Sequence, residues 1–427
     1  MNSNYSLENI IKKQAILNIG FIGNVGDGKS SAVKALTGAK TQRHSSEKER
    51  NCTIKLGYSN AKIWKCDECP EPKCYYSSNS TKTEQKCKCG KECKLCHHFS
   101  IVDCPGHHAL TTTTMSGRAV MDEVIAVISS FEDISTKKQL KTHLISVKVG
   151  NLEPKLILQN KLDLISKTDA INKKEDIIRL FNQLKINVPP IVPISLSRKL
   201  NTQWILHYIM TNFKPQLKKN ESDDIEFIIT RSFDINKGRT NIMDIKGTIL
   251  GGSLIKGKLK IGDEIEIRPG VIAQTKKKDF ICTPIKTKII SLETNNYKVN
   301  ELYPGGLSGI GTLIDPFYGQ KDRMAGQIAG TPGKLPPIYS ELQLKLVPIE
   351  ELSNDYQLKN GDKVKITVSA ISVNAETVNV KRNKATFKLL FPICFTESTN
   401  NNIIISRVFG GNTDIISMGH FIKGKIV

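Results

Sequence analysis

The residues that could carry chemistry begin with a glycine-rich stretch near the start of the chain. Residues 23–30, the phosphate loop, read Gly-Asn-Val-Gly-Asp-Gly-Lys-Ser and fit the pattern G-x-x-x-x-G-K-[ST]. The backbone N–H groups of such a loop can surround a phosphate, and the helix that follows favours its negative charge. We expect Lys29 to bridge the β- and γ-phosphates of a nucleotide and Ser30 to bind Mg²⁺. The predicted phosphate-binding residues are Asn24, Val25, Gly26, Asp27, Gly28, Lys29, Ser30, Ser31 and, further along the chain, Gly106.

A second motif, Asp103-Cys104-Pro105-Gly106, follows an apolar run. Its aspartate can hold the Mg²⁺ shell, and the Gly106 N–H can sense a γ-phosphate. Thr53 lies in a polar stretch between the phosphate loop and Asp103. A threonine in such a switch loop completes the Mg²⁺ shell only when the γ-phosphate is present. The predicted Mg²⁺ residues are therefore Ser30, Thr53 and Asp103.

A third motif concerns the nucleotide base. Asn160-Lys161-Leu162-Asp163 follows the apolar run 156–158. An aspartate there can accept two hydrogen bonds from the N1 and N2 edge of guanine, which adenine cannot offer, so the motif selects GTP over ATP. The predicted guanine-binding residues are Asn160, Lys161, Asp163, Ser195 and Leu196, although Ser195 also fits an ordinary loop serine. Three motifs in this order, each after an apolar run, predict a GTPase-type nucleotide fold.

Seven of the eleven cysteines fall within residues 66–96, the cysteine segment. In a long chain such clustering indicates a metal rather than disulfides. Two C-x-x-C pairs, at 66–69 and 93–96, suit a tetrahedral Zn²⁺ because each supplies two thiolates from one tight turn. We expect one structural Zn²⁺ bound by four of Cys66, Cys69, Cys74, Cys87, Cys89, Cys93 and Cys96; two sites, or reduced thiols without metal, are the alternatives. The adjoining His97 and His98 are expected to pack or lie on the surface.

The secondary structure predicted around these residues changes along the chain. Up to about Pro215, apolar strands such as residues 16–22, 99–102 and 123–128 alternate with helical patterns, which predicts a parallel α/β sheet. Beyond it, short β-rich runs are separated by turn residues, which predicts β-barrels. We predict an α/β P-loop GTPase domain over 1–215, with a zinc knuckle at about 64–97, followed by two all-β barrel domains over 222–333 and 334–427.

Composition narrows the partners. The 427 residues include 62 Lys and Arg against 41 Asp and Glu, giving a net charge of +21. Such an excess predicts a polyanionic partner, most commonly nucleic acid; a surface merely rich in lysine is the alternative. No run of 18 apolar residues occurs and the first residues lack the pattern of a signal peptide, so we expect a cytoplasmic protein with no membrane partner.

Longer stretches resemble one protein family, the gamma subunit of eukaryotic and archaeal translation initiation factor 2. Residues 49–63, Glu-Arg-Asn-Cys-Thr-Ile-Lys-Leu-Gly-Tyr-Ser-Asn-Ala-Lys-Ile, are similar to that family's first switch, and residues 99–107 to its second. In the β-rich part, residues 231–236, 247–257 and 322–327 add to the resemblance, which runs from about Leu17 to the C-terminus. A knuckle of zinc-bound cysteines within the switch region is also a feature of the family.

The resemblance implies a G domain and two β-barrels, as in elongation factor Tu, within a heterotrimer of alpha, beta and gamma subunits. The GTP form would carry initiator methionyl-tRNA to the small ribosomal subunit and release it after hydrolysis. Ser30 and Thr53 match the family's Mg²⁺ ligands, Asp103 matches its outer-shell aspartate, and His107 matches the catalytic residue that orients the attacking water. We identify no arginine finger in the chain itself, and we expect slow hydrolysis that needs GTPase-activating and nucleotide-exchange factors.

The chain departs from the family pattern at several positions. Asn24 and Asp27 stand where the family usually has histidine, and Leu196 stands where it has alanine. We expect the Asp27 carboxylate to lie near the phosphates, where it would weaken nucleotide binding or recruit a cation. Asn24 and Asp27 keep open the alternative of a nucleotide-binding scaffold with lost or very weak hydrolysis. Another alternative is a different tRNA-carrying GTPase, such as the selenocysteine-specific elongation factor, against which the cysteine segment and residues 49–63 argue.

Overall fold

The computed structural model describes residues 7–38, 57–105, 115–214, 224–236, 238, 240–276, 279–295, 297–351, 356–396, 403–409 and 412–427. The chain divides into two compact units. The first comprises Met1–Gly117, Met121–Leu217 and Thr294–Tyr297, and the second comprises Arg118–Val120, Lys218–Glu293 and Lys298–Val427. Among the described residues, no helix combines the length and the apolar composition needed to cross a membrane.

The first unit is built on a seven-stranded sheet in the order β3-β2-β4-β1-β5-β6-β7. Its strands are β1 (Asn18–Ile22), β2 (Gly57–Lys65), β3 (Tyr75–Asn79), β4 (Lys94–Asp103), β5 (Glu123–Ser129), β6 (Leu156–Asn160) and β7 (Ile191–Pro193). Strands β4, β1, β5, β6 and β7 pair in parallel, whereas β2 and β3 are antiparallel additions at one edge. Every residue of β1 is buried, as expected for a central parallel strand.

Five helices of the described residues accompany this sheet. They are α1 (Leu7–Lys13), α2 (Lys29–Thr37), α3 (Lys138–Val149), α4 (Lys167–Gln183) and α5 (Thr202–Asn212). Apolar residues from both layers form one core, which includes Leu17, Phe21, Val33, Ile125 and Ile205. Because β1, β4, β5 and β6 run in the same direction, the segments that follow them meet at one edge of the sheet, where ligands bind in folds of this type.

The second unit contains two six-stranded barrels. Strands β8 (Glu226–Phe233), β9 (Ile249–Lys256), β11 (Glu264–Gln274), β12 (Phe280–Thr294), β15 (Ser308–Thr312) and β16 (Ile328–Gly330) form the first, which the pairing of β11 with β12 closes. Short strands β10 (Leu259–Lys260), β13 (Tyr297–Val299) and β14 (Glu301–Leu302) and the helix α6 (Pro316–Gly319) decorate it. Phe227, Leu250 and Ile267 are fully buried in its core.

The second barrel is closed in the order β17-β20-β19-β18-β21-β22. Its strands are β17 (Ile338–Val347), β18 (Lys363–Val368), β19 (Ile371–Lys381), β20 (Lys384–Cys394), β21 (Ile403–Phe409) and β22 (Asn412–Ile426). Arg268 of the first barrel donates hydrogen bonds to the carbonyls of Leu335 and Pro336, at 2.7 and 2.8 Å, in the connection between the barrels. An α/β domain followed by two all-β barrels is the fold class predicted from the sequence, and it is confirmed.

Candidate functional site

The phosphate loop joins the carboxyl end of β1 to the first turn of α2. Gly26 and Gly28 have φ angles of 82° and 101°, in the left-handed region that favours glycine. A Cβ atom at Gly28 would lie 2.3 Å from Nδ2 of Asn160, so the loop also needs glycine there for space. The glycines of the motif therefore set the path of the loop against the neighbouring strand β6.

Lys29 already lies inside this loop. Its Nζ donates hydrogen bonds to the carbonyl oxygens of Gly23, at 3.0 Å, and Asn24, at 2.7 Å. Burial lowers the pKa of Lys29, while the nearby Asp103 and Asp27 carboxylates act in the opposite direction. A buried ammonium at the start of a helix is a donor set that suits a phosphate.

The predicted Mg²⁺ residues Ser30 and Asp103 meet at the ends of adjacent strands. Phe21 of β1 pairs with Asp103 of β4, and Ser30 Oγ donates to Asp103 Oδ2 at 2.7 Å. A hydroxyl beside a buried carboxylate provides the oxygen ligands that Mg²⁺ prefers. Thr53, Gly106 and His107, also predicted for this site, lie outside the described residues.

The predicted guanine-binding residues also come together. Ser195 Oγ donates to Asp163 Oδ1 at 2.7 Å, and this bond lowers the pKa of the Asp163 carboxyl, keeping it an acceptor. Asn160, at the end of β6, donates through Nδ2 to the backbone carbonyl of Asp27 at 2.9 Å and accepts from the Leu196 N–H at 3.2 Å. Lys161, between them, has a left-handed backbone with φ of 63°. Asn160 therefore connects the guanine motif, residues 160–163, to the phosphate loop by a direct hydrogen bond.

Asp27 of the phosphate loop has partners that the sequence did not indicate. Its carboxylate is fully buried and turned into the protein. Oδ2 accepts from the Asn24 N–H at 2.7 Å, Oδ1 accepts from the Ser129 N–H at 3.0 Å, and Lys137 Nζ pairs with the same Oδ1. The end of β5 and the segment after it thus supply an amide and an ammonium for this carboxylate, and its effect on nucleotide binding stays a prediction.

Three residues that contact the phosphate loop were missed from the sequence. Ser129 and Lys137 hold Asp27, and His143 of α3 lies with Nδ1 3.2 Å from the Gly23 carbonyl. All three belong to the end of β5 or the segment after it, and β5 is the parallel neighbour of β1 on the side away from β4. The sequence offered only a general signal, because polar residues after the strand predicted at 123–128 must lie near the edge where the parallel strands end. That signal did not single out these three residues.

In the cysteine segment, four thiols approach one another. The Sγ atoms of Cys66, Cys69, Cys87 and Cys89 all lie within 4.8 Å of one another. The pKa of the Cys87 thiol is lowered to about 6, mainly by a hydrogen bond from the Cys89 N–H and to a lesser extent by one from the Tyr76 hydroxyl. The lower pKa favours the thiolate that a metal requires. Four sulfur ligands fit a closed tetrahedral Zn²⁺ site, which is a structural rather than a catalytic arrangement.

The second C-x-x-C pair does not join this group. Cys93 precedes β4 and Cys96 lies within it, and residues three apart on an extended chain face opposite sides. Cys87 and Cys89 lie instead in a tight turn, in which the Gly90 N–H donates to the Cys87 carbonyl at 3.0 Å. Cys74, whose carbonyl accepts from the Cys66 N–H, is also outside the group. His97 and His98 are buried within β4.

Comparisons with known proteins agree with this geometry. The family described as Elongation factor Tu GTP binding domain matches residues 14–215, Elongation factor Tu domain 2 matches 247–327, and Initiation factor eIF2 gamma, C terminal, matches 338–421. The chain is 36% identical over 423 residues to the eukaryotic translation initiation factor 2 subunit gamma of Encephalitozoon cuniculi, covering 98% of this chain and 95% of that protein. It is 37% identical over 433 residues to the corresponding subunit of Schizosaccharomyces pombe, covering 97% of this chain and 96% of that protein.

Solved structures show the same fold at lower identity. Translation elongation factor SelB from Methanococcus maripaludis, in complex with a GTP analogue, aligns with a TM-score of 0.69 at 18% identity, over 97% of this chain and 80% of that one. A bacterial selenocysteine-specific elongation factor aligns with a TM-score of 0.68 at 15% identity, over 96% of this chain but only 59% of that longer protein.

The selenocysteine-factor alternative therefore shares the fold, whereas sequence identity over nearly the full length lies with the initiation factor. The first unit carries the phosphate loop and guanine loop of a translational GTPase, and the last barrel matches a family specific to the initiation factor. This chain belongs to the gamma-subunit family of eukaryotic translation initiation factor 2, the family of GTP-binding, GTP-hydrolysing subunits of that factor.

Proposed function

We propose that this chain carries initiator methionyl-tRNA to the small ribosomal subunit in its GTP state and releases it after GTP hydrolysis. The observation that carries the proposal is the convergence of Lys29, the Ser30–Asp103 pair and the Asp163–Ser195 pair at one edge of the sheet. These residues are far apart in sequence, and a switch GTPase needs them together. The net charge of +21 supports a nucleic-acid cargo.

Each group has a role in binding GTP. The phosphate-loop amides other than that of Asn24, which donates to Asp27, surround the phosphates. Lys29 neutralises the charge of the phosphates, and Asp163 accepts from the guanine N1–H and N2–H. Ser30 and Asp103 would hold Mg²⁺, which supplies charge neutralisation at the β- and γ-phosphates. Ser195 orients Asp163, and Asn160 fixes the guanine loop to the phosphate loop through the Asp27 carbonyl.

Hydrolysis transfers the γ-phosphoryl group to water, and we propose that the protein contributes positioning and charge stabilisation. His107 would orient the attacking water, Gly106 would donate its N–H to the γ-phosphate, and Thr53 would help to hold the Mg²⁺ that neutralises the phosphate charge. Loss of the γ-phosphate removes the contacts of Gly106 and Thr53, so both switch segments relax and the tRNA is released. The alternative, a nucleotide-binding scaffold with lost or very weak hydrolysis, is distinguished by single-turnover hydrolysis in the presence of the GTPase-activating protein.

The remaining assignments support this activity. We propose that Cys66, Cys69, Cys87 and Cys89 hold a structural Zn²⁺. We also propose that the chain is organised as three domains, over residues 1–215, 222–333 and 334–427. The proposed partners are the alpha and beta subunits of the factor, a GTPase-activating protein and a nucleotide-exchange factor, all in the cytoplasm. The relatives are named as subunits of this initiation factor, which supports an assembly of this kind.

The test is a binding measurement with the chain and its partner subunits. Methionyl-initiator tRNA is titrated in the presence of a non-hydrolysable GTP analogue or of GDP, with elongator methionyl-tRNA as the matched control, over a series of salt concentrations. We expect tighter binding in the GTP-analogue state, and a preference for the initiator that persists as salt weakens both complexes. Equal affinity in the two nucleotide states would contradict the switch, and equal affinity for both tRNAs would contradict the cargo.

A further inference from the structure

We propose that Lys137 is a positioning residue of the nucleotide site, whose ammonium neutralises Asp27 and so leaves Lys29 available to the phosphates. The inference rests on the proposed nucleotide site at residues 24–31 and goes beyond it, because the side chains of Asp27 and Lys137 are both fully buried behind the loop residues that would bind the phosphates. The pair links the phosphate loop to the segment between β5 and α3.

The geometry defines an internal ion pair. The Asp27 and Lys137 side chains are both 0% exposed, and Lys137 Nζ contacts Asp27 Oδ1. The same carboxylate accepts from two backbone N–H groups, those of Asn24 and Ser129. Removing one partner of a buried ion pair leaves an uncompensated buried charge, which is far more costly than removing an exposed one.

A second cation lies close to this carboxylate. Lys29 donates to the Asn24 carbonyl at 2.7 Å, and Asp27 accepts from the N–H of the same residue at 2.7 Å. Lys29 and Asp27 are therefore attached to opposite sides of one loop residue. Without Lys137, the Asp27 carboxylate would attract the Lys29 ammonium. Lys29 would then interact less with the phosphates.

The two partners are not equivalent, and this predicts an asymmetry. Lys137 has a second carboxylate, Glu132, 3.2 Å away, whose side chain is 40% exposed. If Asp27 loses its charge, Lys137 still has the Glu132 carboxylate as a partner. If Lys137 loses its charge, the nearby cation left for Asp27 is Lys29, which is hydrogen-bonded to the same loop. Lys137→Met is expected to weaken nucleotide binding more than Asp27→Asn.

The experiment measures the affinity and dissociation rate of fluorescent mant-GDP on the full-length chain, at a temperature at which circular dichroism shows each variant folded. The matched control is Lys141→Met, an exposed lysine one turn further along α3. We expect Lys137→Met to weaken GDP binding at least about fivefold relative to the unchanged chain. The double variant Asp27→Asn/Lys137→Met should bind GDP within about fivefold of the unchanged chain, because it lacks the uncompensated Asp27 charge. A merely structural role would lower the melting temperature of Lys137→Met without this recovery of affinity.

Several results would overturn the proposal. The first is a GDP affinity of Lys137→Met that is reduced less than fivefold. The second is a double variant that binds GDP as weakly as Lys137→Met, because Lys137 would then act by a route that does not involve Asp27. If Lys137→Met does not fold, Asp27→Asn is compared with the double variant, and a loss of fivefold or more between them contradicts the proposal. Failure of the unchanged chain to bind GDP would instead overturn the nucleotide site itself.

Discussion

The phosphate loop and the cysteine segment are both turn-rich parts of the first unit, but they are held in different ways. Asp27 of the phosphate loop is bonded to side chains and backbone 102, 110 and 133 residues further along the chain. In the cysteine segment, the thiol contacts join residues only 23 and 18 apart. The Asp27 carboxylate is held by partners distant in sequence, whereas the four thiols that a metal can bind come from one short segment.

Removal of the metal should give the largest effect and separate the two regions. A strong chelator is expected to take one Zn²⁺ from the protein and unfold the turns that carry Cys66, Cys69, Cys87 and Cys89, since structural Zn²⁺ supplies on the order of 10 kcal/mol in small zinc domains. Hydrogen exchange of residues 64–97 and zinc analysis check this. Cys66→Ser should behave likewise, with Cys96→Ser as the control that keeps its zinc. Loss of GDP binding on chelation would show that the regions are not independent.

Lys29→Met tests the other side of the comparison. It should weaken GTP binding at least about 100-fold, because two or more charge-assisted hydrogen bonds of about 1.5–3 kcal/mol each are lost. Equilibrium titration with mant-GTP measures this, and Lys34→Met, an exposed lysine on the same helix, is the control. Zinc content should be unchanged in both variants, and a Lys29→Met chain that binds GTP normally would contradict the assigned site.

Asp163→Asn should have a smaller effect that is specific to the base. The amide still offers an oxygen but presents N–H groups where guanine also has donors, so we expect guanine nucleotides to bind about 10–100-fold more weakly. Xanthine nucleotides, which carry a carbonyl in place of the guanine amino group, should gain relative to guanine. Competition titrations measure the ratio, and an unchanged ratio would mean that Asp163 does not contact the base.

The last prediction concerns the pH dependence of stability and β4, the strand that connects the two regions. Burial lowers the pKa of His97 to about 4 and that of His98 to about 3. The unfolded chain therefore binds these protons first as the pH falls below about 6.5, and stability declines from there toward the folded-state pKa values.

Between pH 6.5 and pH 5, protonation of each histidine in the unfolded chain should lower the free energy of unfolding by about 1.6 kcal/mol. His98→Asn, which keeps a donor for the Ile11 carbonyl bonded by His98, should reduce that loss by about the same amount. Urea unfolding at the two pH values measures the difference. A variant that loses as much stability as the unchanged chain would contradict the assignment.

Much of the nucleotide site could be predicted because its chemistry demands fixed residue types. The phosphate loop, Asp103 and the guanine motif each follow a strand of the parallel sheet, and adjacent parallel strands bring such residues to one edge. Lys137 and His143 could not be found in this way, because their partners, Asp27 and the Gly23 carbonyl, lie more than 100 residues earlier, at separations of 110 and 120. No local pattern marks such a contact.

The order of the motifs, the change from an α/β to an all-β pattern and the presence of a cysteine segment could all be read from the amino-acid order. These features follow from local periodicity and from ligand chemistry that tolerates few residue types. Which four cysteines converge, and the inward direction of Asp27, became visible in the folded chain alone. Both depend on side-chain direction, which is set by whether the backbone is extended or turned and by which buried partner a neighbouring strand supplies.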